Sequence, residues 1–342
     1  MTVSNMHKHT NDSTFQAINR GYNATFRPGR LSLGLVVPLE TYTTGPVPTM
    51  TLHVERVQLA EELGFSAIWL RDVPFNVPSF GDAGQIFDPF VYLGLLAAQT
   101  EQIALGVASI VLPLRHPAHV AKAAASADVL SGGRLILGVA SGVRPEEYPA
   151  LNLSFADRGD RFRESFDYVR RIGEDAPAFE NTYGSPNLDY PAGGMDMLPK
   201  PTSGKLPLLI NGRSQQDPEW IARNGEGWIT YPRGIGAQEK IITRWRELIK
   251  AAGGPSKPAV QSLYVDLVDD PDAPPQQIHL GFRSGVNHLR AYLKSLEEIG
   301  INHVALNLRF NQAEIETTLK RLADDALSDF PGADVSEPHL AE

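Results

Sequence analysis

Cysteine is absent from this chain of 342 residues. Its absence excludes disulfides, thiolate catalysis, and zinc or iron–sulfur sites with cysteine ligands. The chain also lacks any run of about 18 apolar residues, so no membrane-spanning helix is expected. The first 30 residues are polar and contain no apolar segment typical of a secretory signal. We therefore expect a cytoplasmic protein without a membrane partner.

Basic residues are also fewer than acidic ones. The formal net charge is −9 at pH 7, and because nucleic-acid binding needs a basic surface, no nucleic-acid partner is expected. No GxGxxG motif follows the first apolar strand, so the dinucleotide-binding fingerprint is missing. No HxH ends that strand and no HExxH occurs, so we expect no metal site.

The stretch Ile103–Arg144 has the clearest structural pattern. An apolar strand over Ile103–Ile110 leads to a helix over Pro117–Leu130, and a second apolar strand follows over Arg134–Val139. Pro117 suits a first helical position, and the glycines of Ser131-Gly132-Gly133 suit a helix end. Because two strands joined through a helix must lie parallel, this unit predicts a βαβ arrangement.

Eight such strands alternate with eight helices along the chain. This alternation predicts a (β/α)8 TIM barrel with long insertions at its C-terminal face, in preference to a doubly wound sheet. We expect a polar, irregular N-terminal extension over 1–30, a barrel domain over 31–328 and a loose tail over 329–342. The segment 173–204, rich in Gly, Pro, Asn and Asp, is predicted to be a lid or insertion loop.

The residues that flank the Ser131–Gly133 turn belong to the other end of this barrel. Asp128 and Arg134 lie at its N-terminal side, away from the strand ends that carry chemistry in this fold. We expect them to form a structural ion pair.

A candidate phosphate site follows the fifth strand, at Asn211–Gln215. Gly212 permits a close backbone approach, Arg213 supplies a fork of donors, and a helix predicted to begin at Ser214 would direct its N–H groups at an anion. The alternative is that Ser214 only caps its helix. Spacing alone leaves both interpretations open.

Three stretches resemble the bacterial luciferase-like flavin monooxygenase family. They are IALGVASIVLPLRHPAHVAKAAASADVLSGGRLILGVASG, the most specific, then GFSAIWLRD at strand two and LLINGRSQQ at strand five. The resemblance runs from about Leu31 to Arg309. It implies a barrel that binds FMN, or the related deazaflavin coenzyme, at its C-terminal mouth, and a homodimer packed through helices near strands two and three.

The resemblance also implies roles for individual residues. Ala108-Ser109 matches a non-proline cis peptide beneath the flavin ring. Ser141 matches a phosphate-contacting position that is arginine in luciferase, and either Arg144 or Arg213 would supply the missing charge. The cofactor-binding residues implied, with the barrel-mouth positions first, are Val36, Val37, Trp69, Ala108, Ser109, Ser141, Arg144, Gly212, Arg213, Ser214 and Gln215.

One position departs from the family pattern. Luciferase has a catalytic histidine just after strand two, and Val73 holds that place here. We therefore do not expect the light-emitting mechanism.

Four polar residues near the strand ends, Arg71, Asp72, His116 and Tyr231, are catalytic candidates that would bind substrate or manage protons. Asp72 could donate a proton or anchor Arg71. His116 could contact flavin or substrate, or cap the helix that starts at Pro117. Tyr231 could hydrogen-bond a substrate oxygen or pack in the core.

Together these features predict an FMN-dependent oxidoreductase, the oxygenase component of a two-component monooxygenase. It would act on a small organic substrate with dioxygen, and a separate flavin reductase would supply reduced FMN. The alternatives are a deazaflavin-dependent reductase or dehydrogenase, and a non-catalytic flavin-binding protein on the same barrel. A Schiff-base aldolase is disfavoured because no lysine lies at a predicted strand end.

Overall fold

The computed structural model describes residues 14–43, 45, 47–174 and 196–332. Within them it contains ten α-helices and ten strands. The helices are α1 (Arg20–Thr25), α2 (His53–Glu62), α3 (Pro89–Gln99), α4 (Pro117–Leu130), α5 (Glu147–Ala150), α6 (Arg158–Arg170), α7 (Pro218–Asn224), α8 (Ile235–Ala251), α9 (Val286–Glu298) and α10 (Ile315–Asp325). The strands are β1 (Ser32–Val36), β2 (Ala67–Leu70), β3 (Ala104–Val111), β4 (Leu135–Ala140), β5 (Leu208–Asn211), β6 (Gly227–Thr230), β7 (Ala259–Leu267), β8 (Gln276–Ile278), β9 (Gly281–Ser284) and β10 (His303–Asn307).

Eight of these strands close into a parallel barrel. β1 to β7 pair in sequence order, and β10 pairs with both β7 and β1. Closure leaves no open edge in the ring, and the helices pack around it. The predicted (β/α)8 TIM barrel is confirmed.

The barrel strands separate two apolar layers. The inner layer includes Val36, Trp69 and Ile229, whereas the outer layer, between strands and helices, includes Val37 and Leu35. This separation follows from the alternation of successive side chains along a strand. Val36 therefore faces the barrel interior and its neighbour Val37 faces the helices.

Hydrogen-bonded polar side chains also lie in the barrel interior, among the apolar groups. His303 is fully buried, and its Nε2 accepts a hydrogen bond from Trp69 Nε1 at 2.8 Å, while its Nδ1 lies 2.8 Å from Ser32 Oγ. Gly34 and Gly106 make room for these rings, since a Cβ at either position would lie within 3 Å of His303 or Trp69. Burial lowers the pKa of His303 to about 3, so the ring is neutral in the folded protein.

The segment before β1 corrects the expectation of an irregular arm. Asn19 caps α1, and Tyr22 and Phe26 close the N-terminal end of the barrel with their rings 5.0 Å apart. Tyr22 also donates to the carbonyl of Glu226. Tyr22 in α1 and Phe26 at its C-terminal cap, spaced by four residues, carried the signal of a buried helix.

The expected ion pair between Asp128 and Arg134 is wrong, although both residues are structural. Arg134 donates to the carbonyls of Ala97, Thr100, Ile103 and Ser131 and to the hydroxyl of Thr100. The Asp128 carboxylate accepts hydrogen bonds from Asn19 and Thr202. Arg134 and Asp128 are therefore each hydrogen-bonded to uncharged groups and not to each other.

Ordered structure occurs both in the segment that follows β7 and at the start of the predicted tail. The segment after β7 contains an antiparallel β8–β9 hairpin, and β9 adds alongside the end of β7. The predicted tail from 329 is not loose at its start, because Phe330 is buried and Asp329 pairs with Arg290.

Most of the predicted 173–204 lid, residues 175–195, lies outside the described residues. None of the described helices is long and apolar enough to cross a bilayer.

Candidate active site

Two connected chambers open at the carboxyl ends of the barrel strands. The polar chamber, about 260 Å³, lies over the ends of β3, β4 and β5. The main chamber, about 590 Å³, lies over the barrel axis, and Val36, Trp69, Ala108 and Ile229 form part of its lining. The chambers share five lining residues, which are Arg71, Ala108, Arg144, Asn211 and Tyr231. A concave site with an apolar floor and polar groups to one side is typical of a ligand-binding pocket.

The Ala108–Ser109 peptide lies at the junction of the chambers and is cis, as the family resemblance implied. Ser109 Oγ accepts a hydrogen bond from Asn211 Nδ2 at 2.8 Å. The Asn211 Oδ1 atom is buried and has no partner among the described residues. Because buried polar atoms are normally satisfied, this oxygen is an acceptor available to a ligand.

The turn after β5 forms one wall of the polar chamber. Gly212, Ser214 and Gln215 all have positive φ, between 46° and 60°, which folds the backbone around the chamber. Trp228 Nε1 donates to the Gly212 carbonyl at 2.7 Å and holds the turn from outside. The exposed Arg213 guanidinium makes no hydrogen bond or ion pair with any described residue, so its donors are free for an anion.

The helix at this wall begins later than predicted. It starts at Pro218, and Asp217 caps it by accepting from the Trp220 N–H at 2.6 Å. Ser214 instead donates to the Asn211 carbonyl within the turn. The helix-terminus argument and the Ser214-cap alternative are therefore both wrong, and the turn itself with Arg213 remains as the anion-binding element.

The opposite wall of the polar chamber comes from the loop after β4. Ser141 is buried there, and its carbonyl accepts from the Tyr148 hydroxyl. Arg144 lies 3.4 Å from Glu147, donates to the Asp82 carbonyl and packs over the Phe80 ring. Burial raises the pKa of Glu147, and Arg144 only partly offsets that effect.

A shared carboxylate organises the main chamber. Asp82 accepts from Arg71 at 2.5 Å, from the Tyr42 hydroxyl at 3.2 Å and lies 3.2 Å from Arg309. Burial opposes ionisation of Asp82, but Arg71, the Gly84 N–H and Arg309 outweigh it and hold its pKa below the usual value. Arg71 is thus held by Asp82, and the expectation that Asp72 anchors it is wrong.

Asp72 has a different partner. Its carboxylate receives two hydrogen bonds from Arg115, at 2.7 and 3.0 Å, and one from the Val111 N–H. The carboxylate side chain is 1% exposed, although the residue lines the polar chamber. With its oxygens committed to these donors, Asp72 is better placed to shape the chamber than to transfer a proton.

Of the other expected site residues, some line the chambers and some do not. Tyr231 lines both chambers, and Val73 lines the polar one. His116 caps α4 by accepting from the Ala118 N–H at 3.2 Å and lines neither chamber, which confirms the capping alternative. Val37 also lines neither chamber, because its side chain faces the helices.

Three residues of the site were not predicted individually. Asp82 lies in the loop after β2, Glu147 in the loop after β4, and Arg309 just after β10. The strand-end position was a signal for Arg309, but nothing in the local sequence pairs it with Asp82. Among the described residues no group of three or more His, Asp or Glu side chains could hold a metal ion.

A closed parallel barrel with a lined pocket at its mouth is the architecture of a TIM-barrel enzyme. Residues 29–328 match the model of the luciferase-like monooxygenase family. The chain belongs to this family, and its expected membership is confirmed.

Named relatives use two kinds of coenzyme. The oxygenase component of a flavin-dependent trigonelline monooxygenase from Acinetobacter baylyi is 26% identical over 264 residues, covering 74% of this chain and 68% of that protein. An F420-dependent hydroxymycolic acid dehydrogenase from Mycobacterium tuberculosis is 28% identical over 242 residues, covering 68% of this chain and 61% of that protein.

A solved structure supports the fold. The oxygenating constituent of 3,6-diketocamphane monooxygenase from Pseudomonas putida, in complex with FMN, superposes with a TM-score of 0.69. It is 16% identical, and the alignment covers 89% of this chain and 100% of that one. Membership of the family makes the protein an oxidoreductase of the luciferase-like class, and the relatives named above are flavin- or F420-dependent. Membership of a family of enzymes disfavours the non-catalytic alternative.

Proposed function

We propose that the protein is the oxygenase component of an FMN-dependent, two-component monooxygenase acting on a small organic substrate. The observation that carries the proposal is the joined pair of chambers, with an arginine-bearing turn at one end and an apolar floor at the other. That polarity matches FMN, which has a charged phosphate at one end and a flat aromatic ring system whose faces can pack on apolar groups at the other.

The residues present fit this cofactor. The polar chamber offers a phosphate the backbone of the 212–215 turn, the hydroxyls of Ser109 and Ser141, and the Arg213 guanidinium, which has no partner among the described residues. Val36, Trp69 and Ile229 offer an apolar floor to a ring.

When bound, reduced flavin supplies the electrons that activate dioxygen, and this chain supplies binding and orientation. Arg213 would neutralise the phosphate, and Arg71, held by Asp82, would face the substrate from the shared wall of the chambers. Tyr231 would offer its hydroxyl at the entrance, where the residue is 45% exposed. Trp69 and the apolar floor would exclude water from beneath the ring.

Reduced flavin is proposed to come from a separate reductase. The sequence has no dinucleotide-binding fingerprint, and the Acinetobacter relative is named as an oxygenase component. If this protein works as that relative's name implies, flavin reduction and oxygen chemistry take place on different chains.

An F420-dependent reductase or dehydrogenase is the second candidate. The Mycobacterium relative, at 28% identity, is F420-dependent. The same turn and apolar floor would serve a deazaflavin ring with an anionic side chain.

Parallel titrations with FMN and F420, followed by oxygen-uptake assays with reduced FMN and a substrate panel, test the proposal. We expect saturable quenching of FMN fluorescence and tighter binding of FMN than of F420. Preferential F420 binding with no oxygen uptake would favour the second candidate. Absence of binding by either coenzyme would refute both.

A homodimer through the helices near β2 and β3 is part of the proposal. On α3, between these strands, Val91 is 73% exposed and Leu95 is 42% exposed, and their spacing puts them on one face. We expect sedimentation velocity to show a dimer that Val91→Glu dissociates. A wild-type monomer at micromolar concentration would contradict it.

A further inference from the structure

The wall of the main chamber above the floor carries an excess of positive charge. Arg71 and Arg309 both face this chamber, and both pair with the single carboxylate of Asp82. The third arginine there, Arg144, has its own partner in Glu147. Within the described ranges, one of the two guanidinium charges at Asp82 therefore lacks a carboxylate of its own.

Of these two arginines, Arg309 is the one with a buried donor atom that has no partner among the described residues. Only 10% of its side chain is exposed, and its Nη2 donates to the Gly81 carbonyl at 2.8 Å. Its Nε atom is buried and has no partner among the described residues. Because a buried charged donor without an acceptor is costly, this nitrogen marks a place where a ligand acceptor belongs.

The surroundings of Arg309 are aromatic. The guanidinium lies 4.7 Å from the ring centre of Tyr42 and 5.3 Å from that of Phe310. The Phe310 ring is in turn 5.3 Å from Tyr264, and both line the main chamber. Flat rings beside a guanidinium fork favour a planar ligand with a planar anionic group.

We propose that Arg309, with Arg71, forms a carboxylate-binding subsite, and that the substrate is a small aromatic carboxylate. The inference rests on the proposed function, because it assumes that the main chamber also receives the substrate. It adds the substrate class and a specificity-determining residue, Arg309. The Arg213 turn lines the polar chamber and Arg309 lines the main one, so these two arginines face different chambers, with Arg71 on the wall between them.

An anionic group in this chamber could come from a substrate or from the coenzyme. Measuring coenzyme and carboxylate affinities separately in the same variant distinguishes these sources. A substrate subsite requires that loss of Arg309 weakens carboxylate binding and leaves coenzyme binding unchanged.

The experiment uses the full-length protein, with and without saturating FMN, and three matched probe pairs. The pairs are benzoate with benzamide, nicotinate with nicotinamide, and phenylacetate with phenylacetamide, each titrated by calorimetry. We expect at least one carboxylate to bind about tenfold more tightly than its amide, the size of one charge-assisted hydrogen bond. Arg309→Gln should remove that preference, and Arg309→Lys should retain part of it because a charge remains.

Arg244→Gln is the matched control, since Arg244 is 60% exposed on α8 and pairs only with exposed glutamates. It should leave all affinities within about twofold. The inference is overturned if no carboxylate is preferred over its amide, or if Arg309→Gln weakens FMN as much as the carboxylate. Failure of FMN to bind would overturn the proposed function instead, because the carboxylate preference can be measured without FMN.

Discussion

The two ends of the barrel treat buried polar groups in opposite ways. At the N-terminal end, Asn19, Asp128 and Arg134 are linked to neighbours by hydrogen bonds. At the mouth, Asn211 and Arg309 each keep a buried atom without a partner among the described residues. The Thr25 hydroxyl at the closed end also lacks a partner in the described part of the chain, but it lines neither chamber. The contrast indicates that polar groups at the closed end stabilise the fold, whereas Asn211 and Arg309 at the mouth keep hydrogen-bonding capacity for a ligand.

The largest expected effect is at the closed end. Arg134→Met should lower the free energy of unfolding by at least about 3 kcal/mol, because it leaves several buried carbonyls without donors. Urea denaturation measures this change, and the exposed-site control Arg244→Met should stay within about 0.5 kcal/mol. A loss below about 1 kcal/mol for Arg134→Met would contradict the contrast between the ends.

At the mouth the corresponding change should affect binding and not stability. Arg213→Gln should weaken FMN binding by about 10- to 100-fold, because a charge-assisted contact to phosphate is lost. The free energy of unfolding should change by no more than about 0.5 kcal/mol, since Arg213 makes no bond within the described chain. Fluorescence titration and urea denaturation of the same preparation test both halves.

Asp72 lies at the mouth, but its substitution should lower stability, as expected for the polar residues at the closed end. Asp72→Asn should cost about 2 kcal/mol of unfolding free energy, because its carboxylate is buried against Arg115. If Asp72 only positions Arg115, the pH dependence of turnover should keep its shape in the variant. Loss of an ionisation from that profile would show that Asp72 transfers a proton.

The last effect appears only as the pH falls, and it concerns His303, which joins the floor of the site to the closed end. Its pKa is about 3 in the folded protein and about 6.5 when unfolded. Between these values the unfolded state binds the extra proton, so stability is present above about pH 6.5 and is lost as the pH falls.

This one proton should contribute up to about 1.4 kcal/mol per pH unit to the slope of unfolding free energy. His303→Gln should therefore show a shallower decline than wild type between about pH 6 and pH 4, whatever its stability at pH 7. Urea denaturation across that range measures the difference, and parallel slopes would rule out a neutral buried histidine.

The sequence allowed the fold to be predicted because eight apolar runs punctuated by glycine and proline describe a barrel locally. The start of α7 was also readable, since Asp217-Pro218 is a helix cap followed by a first-turn proline. The cis peptide at Ala108–Ser109 came from the family resemblance and not from residue chemistry. Local sequence cannot reveal that Asp82 joins Arg71 to Arg309, because the contact depends on the path of a non-periodic loop.

The ratio of FMN to riboflavin affinity tests the central claim most directly, because the two molecules differ only in the phosphate. We expect wild type to bind FMN at least about tenfold more tightly than riboflavin, and Arg213→Gln to bring the two affinities together. Equal affinity of the wild-type protein for FMN and riboflavin would contradict the assignment of the 212–215 turn as the phosphate site.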